Sequence, residues 1–131
     1  MGNRTEIQKD LIVVGAGMSG ICAALQAARL GLSVGLIEAS GYLGGNAGAE
    51  VRVNINGAEG TSEFNLYSRT GGILDEIILE NLYRNPQGNA FHFEALLEDV
   101  IAREPNIELF LNTAADGAET EEKDGKIRIL S

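Results

Sequence analysis

Three glycines with a fixed spacing are the residues of this 131-residue chain whose types most clearly suggest chemistry. Gly15, Gly17 and Gly20 form the pattern G-x-G-x-x-G. In a strand-to-helix turn, the first glycine permits a tight bend and the second admits a pyrophosphate close to the backbone, while the third lets the helix pack near the strand. The spacing therefore predicts dinucleotide binding, provided that a strand precedes the turn and a helix follows it.

Both of these elements are indicated by the sequence. Residues 11–14 read Leu, Ile, Val, Val, an apolar run typical of a strand buried on both faces of a parallel sheet. Helical spacing of apolar residues predicts a helix over 19–30, and Gly31 is placed to end it. A second apolar strand follows, so residues 10–38 are expected to form one right-handed βαβ unit.

The N-terminus of the predicted helix would face the bound phosphates. Its first backbone N–H groups, including those of Met18 and Ser19, have no partner inside the helix and lie at the positive end of its dipole. They favour a bound anion without the help of a lysine.

Glu38 ends the second predicted strand, near the roughly 20-residue distance from the glycines that is expected of an acid binding a ribose. Its charge would repel a 2′-phosphate, which argues against NADP. The turn itself serves FAD and NAD in the same way, so both cofactors stay open at this point.

The region after Glu38 is rich in glycine and predicts a long loop over 40–71. Within it, Val51, Val53 and Ile55 alternate as a short strand would.

Regular structure is expected to return at residue 72. Helical periodicity predicts two amphipathic helices over 72–103, separated near Pro86. Strands are predicted over 106–130, with a hairpin that turns on Asp124 and Gly125.

Composition excludes several classes of function. The chain has 19 acidic and 10 basic residues, a formal charge of −9, which would repel a nucleic acid. No apolar run is long enough for a membrane span, and the first ten residues lack a secretory signal. With Cys22 as the single cysteine, no internal disulfide or cysteine-built zinc site can form, which suits a cytoplasmic protein.

Two other reactive residue types are expected to be structural. His92 is the only histidine, but the sequence places no acid or nucleophile beside it. Cys22 lies beside the apolar stripe of the first helix and is expected to be an unreactive packing residue.

The glycine turn belongs to a longer pattern. Together with Ala24, Gly31 and Glu38 it resembles the FAD-binding domains of the glutathione-reductase-like class. Residues 41–47 are similar to the xGGN segment of the FAD-dependent oxidoreductase family, in which the loop after the acid closes over the cofactor. This resemblance favours FAD over NAD.

The resemblance extends to most of the chain. The segments FHFEALLEDVI and IELFLNTAADGAE are similar to a helix and a strand that return to the adenine side of the family's site, where Ala115 matches a backbone contact. Asn46 stands near the place where the dithiol reductases of this class have a redox cysteine pair, so thiol–disulfide exchange is not expected. Family members continue well beyond Ser131, and the chain is therefore expected to be an amino-terminal fragment that is inactive alone.

The sequence thus predicts an α/β, Rossmann-like FAD/NAD(P)-binding domain over 1–131, partial, with a parallel sheet and a small C-terminal β element. FAD is the expected cofactor, with an unknown small-molecule substrate, no metal and no catalytic residue assigned. The alternatives are an NAD-binding domain, or a non-catalytic subunit completed by a partner chain or oligomer. The expected cofactor-binding residues are Gly15, Ala16, Gly17, Met18, Ser19, Gly20, Glu38, Ala39, Gly44, Gly45, Asn46 and Ala115.

Overall fold

A computed structural model describes residues 6–56 and 69–129 of the chain. Residues 57–68 of the expected 40–71 loop, and residue 130 at the end of the expected terminal strands, lie outside the described residues.

The glycine turn joins a strand to a helix. Strand β1 spans Leu11–Val14, helix α1 spans Met18–Arg29, and strand β2 spans Val34–Ile37 and runs parallel to β1. The helix begins and ends one residue earlier than the predicted 19–30. It begins at Met18 because Gly17 is extended, with φ −68° and ψ 173°, and it ends before Gly31, whose φ of 91° is left-handed.

A third parallel strand completes the sheet. Strand β3, Ile107–Phe110, pairs with β2, so the order in the sheet is β1-β2-β3 and the strand that leads into Glu38 is central. The predicted α/β class with a parallel sheet is confirmed.

The core lies on one face of this sheet. Helices α2, Gly72–Arg84, and α3, Ala90–Ala102, pack with α1 around the fully buried side chains of Leu25, Leu36 and Leu97. Each such side chain contributes about 1.5–3 kcal/mol through removal of its apolar surface from water. The inward residues of β1 and β3 join the same core, namely Leu11, Val13, Ile107 and Leu109.

The expectation that β1 is buried on both faces is wrong. Ile12 is 49% exposed and Val14 is 63% exposed. The cause is the one-sided core, which takes up only the alternate residues of the strand. Across this outer face the ammonium of Lys9 pairs with the carboxylate of Glu108 at 2.7 Å.

The short strand expected at Val51, Val53 and Ile55 is absent from the described residues. Arg52 has a left-handed φ of 62°, which breaks the extended conformation that a strand requires. The N–H of Val53 instead donates to the carbonyl of Asn46 at 2.8 Å, so this segment lies against the glycine-rich loop.

The predicted hairpin forms at the end of the described chain. Strands β4, Thr120–Lys123, and β5, Lys126–Ile129, pair antiparallel. Asp124 and Gly125 both have positive φ, as the tight two-residue turn requires. None of the described helices has the length and apolar character needed to cross a membrane.

Helices α2 and α3 are held together by polar contacts. The side chain of buried Asn85 donates to Oδ1 of Asn81 at 2.9 Å and to the carbonyl of Asn89 at 2.8 Å. On the surface, Arg84 and Arg103 both pair with the carboxylates of Glu80 and Asp99. These contacts fix the orientation of α3 relative to α2.

This ion-pair network predicts an acid-dependent contribution to stability. Hydrogen bonds from Arg103 and then Arg84 lower the pKa of Asp99 from 3.8 to about 2. The unfolded chain therefore binds this proton more readily, and the stabilisation is present above about pH 4 and lost as the pH falls through about 2. We expect Asp99→Asn to lower the Tm near neutral pH, and the difference from the wild type to shrink as the pH falls towards 2 and below.

The measurement is thermal unfolding of both proteins over this pH range, followed by circular dichroism. Glu98→Gln, which removes one charge from an exposed neighbouring position on α3, is the control and should leave the Tm nearly unchanged. A Tm difference between Asp99→Asn and wild type that does not vary with pH would contradict the assignment.

Candidate cofactor site

The glycine turn is packed as tightly as its pattern predicts. The N–H of Gly15 donates to the carbonyl of Ile37 at 2.7 Å, and Gly15 has a left-handed φ of 98°. A Cβ on Gly20 would lie 1.9 Å from the carbonyl oxygen of Gly15, so no side chain fits there. A Cβ on Gly17 would meet nothing within 4 Å, so open space lies in front of this residue.

The N-terminus of α1 opens into that space. No side chain caps the helix, and its first turn, which contains Met18 and Ser19, carries no acidic residue. The partial positive charge of this end is therefore free of competing carboxylates from its own turn, and an anion can use it.

Glu38 holds the glycine turn in place. The N–H of Ala16 donates to Oε2 of Glu38 at 2.7 Å, and the N–H of Ser40 donates to Oε1 at 2.9 Å. The bond from Ser40, together with that from Ala16, lowers the pKa of this carboxyl. A carboxylate oxygen has two lone pairs, so both oxygens can still accept a bond from a ligand hydroxyl. The sequence suggested a ribose contact and gave no sign of this second, structural role.

A second glycine turn lies against the first. Gly44 and Gly45 have φ of 92° and 56° and lead into the short 3-10 helix Gly45–Ala47. The N–H of Gly44 donates to the carbonyl of Ala16 at 2.8 Å. A Cβ on Gly45 would lie 3.1 Å from the Cα of Gly17, so the two backbones touch.

A cleft of about 380 Å³ lies between the two turns. Gly17, Met18, Ser19, Gly44 and Asn46 line it, so the structure brings these predicted residues together. Ala47 and residues 53–56 supply the rest of the wall, and beyond them a groove of about 530 Å³ reaches α2 and α3. The sequence assigned 53–56 no part in the site, because the alternation of Val51, Val53 and Ile55 indicated a strand and not a binding segment.

Glu94 is a further residue that sequence reasoning missed. It is 7% exposed, and it is the only buried charged side chain among the residues whose burial the structure describes, which exclude 123 and 126–129. Its Oε1 accepts a hydrogen bond from the N–H of Leu43, and its Oε2 accepts one from the N–H of Ala49 at 3.1 Å. The one available signal was an acid on the apolar face of α3, directly after buried Phe93.

The remaining predicted contacts lie at the edge of the site. The N–H of Thr113 donates to the carbonyl of Glu38 at 3.0 Å, which brings the chain after β3 beside this acid. Ala39 and Ala115 are exposed. Their contacts with a cofactor stay predictions.

The two residues expected to be structural lie outside the cleft lining. His92 is exposed, and its backbone N–H bonds to Oδ1 of Asn89, the N-cap of α3. Cys22 is partly buried against the core, and burial raises the pKa of its thiol. Its low reactivity stays a prediction. Among the described residues, no three side chains of His, Cys, Asp or Glu are grouped so that they could hold a metal ion.

A glycine turn between a parallel strand and a helix, with an acid after the next strand, defines a dinucleotide-binding α/β domain. Residues 10–131 match the sequence model of the family described as FAD dependent oxidoreductase. The chain belongs to this family, and its cofactor is FAD.

Individual relatives match less of their own length. An L-amino-acid oxidase from Echis ocellatus is 46% identical over 57 residues, which is 44% of this chain and 10% of the oxidase. The crystal structure of Thermovibrio ammonificans THI4 superposes with a TM-score of 0.55 at 18% identity, over 92% of this chain and 45% of that protein. This likeness supports the fold. The chain therefore spans less than half the length of both proteins.

Gly20 and Gly17 differ in the space around them, so the same substitution is expected to affect the free energy of unfolding differently at the two positions. Because its Cβ would collide with backbone, Gly20→Ala should lower the free energy of unfolding by about 1–3 kcal/mol or prevent folding. Gly17→Ala has space and an ordinary φ, so its unfolding free energy should stay within about 0.5 kcal/mol of wild type. Urea unfolding measures both, and equal losses for the two variants would contradict this packing.

Proposed function

We propose that this chain holds the ADP moiety of FAD as the nucleotide-binding part of a flavin-dependent oxidoreductase. The observation that carries the proposal is the contact between the two glycine turns, which leaves an open cleft at the uncapped N-terminus of α1. Membership of the FAD dependent oxidoreductase family supports it.

In this proposal the pyrophosphate lies at the helix N-terminus. The backbone N–H groups of the first turn, at Met18 and Ser19, and the dipole of α1 supply the attraction. Gly17 allows the phosphates to approach the backbone, because any side chain there would point into the cleft. Gly44 and Asn46 belong to the facing wall, and Gly45 between them packs against the backbone of Gly17.

The ribose hydroxyls would donate to Glu38, which is already oriented by Ala16 and Ser40. A carboxylate held by two backbone N–H groups keeps its charge and its position, and so it is ready to accept further bonds without rearranging. The adenine would lie beyond it, towards the exposed segment with Ala39 and Ala115.

The bound flavin supplies the hydride or electron transfer, while this chain binds and orients its nucleotide end. The substrate is not assigned, because the likeness to L-amino-acid oxidase covers only 57 residues. An amino acid substrate is therefore not carried over to this chain.

A second candidate is a nucleotide-binding subunit completed by a partner chain. The exposure of Ile12 and Val14 on the outer face of the sheet favours it, since such apolar surface is suited to burial against further protein. Detection of a stable complex in size-exclusion chromatography of the native source would support this candidate.

The proposal predicts that FAD stabilises the chain and NADH does not. A ligand that binds only the native state at about 100 times its Kd adds about 2.7 kcal/mol and raises the Tm. We expect a dose-dependent Tm increase with FAD, accompanied by quenching of its fluorescence. A larger increase with NADH would favour the NAD-binding alternative, and no change with either would count against nucleotide binding.

Gly17→Ala provides the matched variant for this titration. Its methyl group would occupy the space proposed for the pyrophosphate and would clash with it. The Kd for FAD should therefore rise by about tenfold or more. An FAD affinity equal to that of wild type would show that the phosphates do not lie against this residue.

A further inference from the structure

Glu94 lies behind the second glycine turn and does not line the cleft. We propose that it is a positioning residue of the cofactor site, whose carboxylate holds the 43–49 loop in the shape that FAD requires. This inference rests on the proposed function, because it takes the loop to be a wall of the FAD site.

The burial of this acid needs an explanation. Glu94 is 7% exposed, and the ion pairs of the described residues give it no cationic partner. A buried carboxylate is costly unless hydrogen bonds compensate it. Here the compensation comes from the N–H groups of Leu43 and Ala49, one on each oxygen. These two hydrogen bonds account for the burial of the side chain.

These bonds join the two ends of the loop to one side chain. The loop leaves Leu43, turns through Gly44 and Gly45, and comes back at Ala49, so that the carboxylate closes it into a ring. The interior of the ring is full. A Cβ on Gly48 would lie 3.2 Å from Oε2 of Glu94 and 2.2 Å from the carbonyl oxygen of Leu43.

The loop transmits this constraint to the cleft. Directly after Leu43, the N–H of Gly44 bonds to the carbonyl of Ala16 in the dinucleotide turn. Asn46, at the tip of the loop, lines the cleft and accepts a bond from the N–H of Val53 on its far wall. Glu94 does not line the cleft itself, so it acts through the loop.

A carboxylate meets this task and an amide of the same shape does not. Both oxygens of Glu94 accept bonds, whereas glutamine has one accepting oxygen and a donating NH2 group. Glu94→Gln would therefore leave one buried N–H facing a donor, which costs the loop one of its two attachments.

The experiment compares FAD and ADP binding to the wild-type chain, Glu94→Gln and the control Glu98→Gln. Glu98 is one turn further along α3 and exposed, so its substitution makes the same change of charge away from the loop. Both ligands carry a pyrophosphate, which in the proposed function lies between the first turn of α1 and the wall that contains Gly44 and Asn46. We expect Glu94→Gln to raise the Kd for both ligands by about tenfold or more, at a temperature where circular dichroism shows that the variant is as fully folded as the wild type.

Glu98→Gln should leave both dissociation constants unchanged. A loss of binding no larger than the loss of folded protein would mean that this acid only stabilises the fold, and unchanged binding of both ligands would also overturn the proposal. If the wild-type chain binds neither ligand, the proposed function itself is wrong. This result can be told apart from the two results that overturn only the role of Glu94.

A second measurement decides the case in which Glu94→Gln does not fold. In the wild-type chain without ligand, the amides of Leu43 and Ala49 should exchange their hydrogens as slowly as the amides of strand β2, as read by NMR. Rapid exchange at both positions would show that Glu94 does not hold the loop.

Discussion

The close approach of two glycine turns is the constraint on which the rest of this site depends. Gly17 and Gly45 bring their backbones into van der Waals contact, and a hydrogen bond from Gly44 to Ala16 joins the two turns. Such an approach is possible only without side chains, and it exposes backbone N–H groups that must find acceptors or a ligand. Glu38 and Glu94 supply acceptors for some of these N–H groups. The uncapped N-terminus of α1 leaves others free to bind a ligand in the cleft.

Glu38 and Glu94 both act as acceptors for the backbone N–H groups of a turn. Each carboxylate accepts backbone N–H groups from a turn, at Ala16 and Ser40 for Glu38, and at Leu43 and Ala49 for Glu94. Hydrogen bonds to a charged acceptor are about twice as strong as those between neutral groups. The proposed pyrophosphate site is therefore compatible with a chain whose formal charge is −9, because its attraction for an anion comes from backbone N–H groups and a helix dipole rather than from basic side chains.

Sequence reasoning succeeded where the physics is local. The tight packing at Gly20 and the position of Glu38 follow from spacing within one βαβ unit, and the class of the fold follows from that unit. Glu94 could not be found in this way, because its contact with Leu43 joins residues separated by 51 positions. The alternation of Val51 and Val53 was misleading, since a strand needs a partner and Arg52 bends the chain out of the extended region.

The order of the strands also has a consequence for how the site assembles in time. Pairing of β1 with β2 requires only that the chain through α1 is folded. Pairing of β2 with β3 brings together Val34 and Ile107, which are far apart in the sequence. Contacts between residues distant in sequence form slowly, because the intervening chain must first lose its freedom. We therefore expect the dinucleotide turn to form early, and the loop that faces it to become fixed only when α3 brings Glu94 to Leu43 and Ala49.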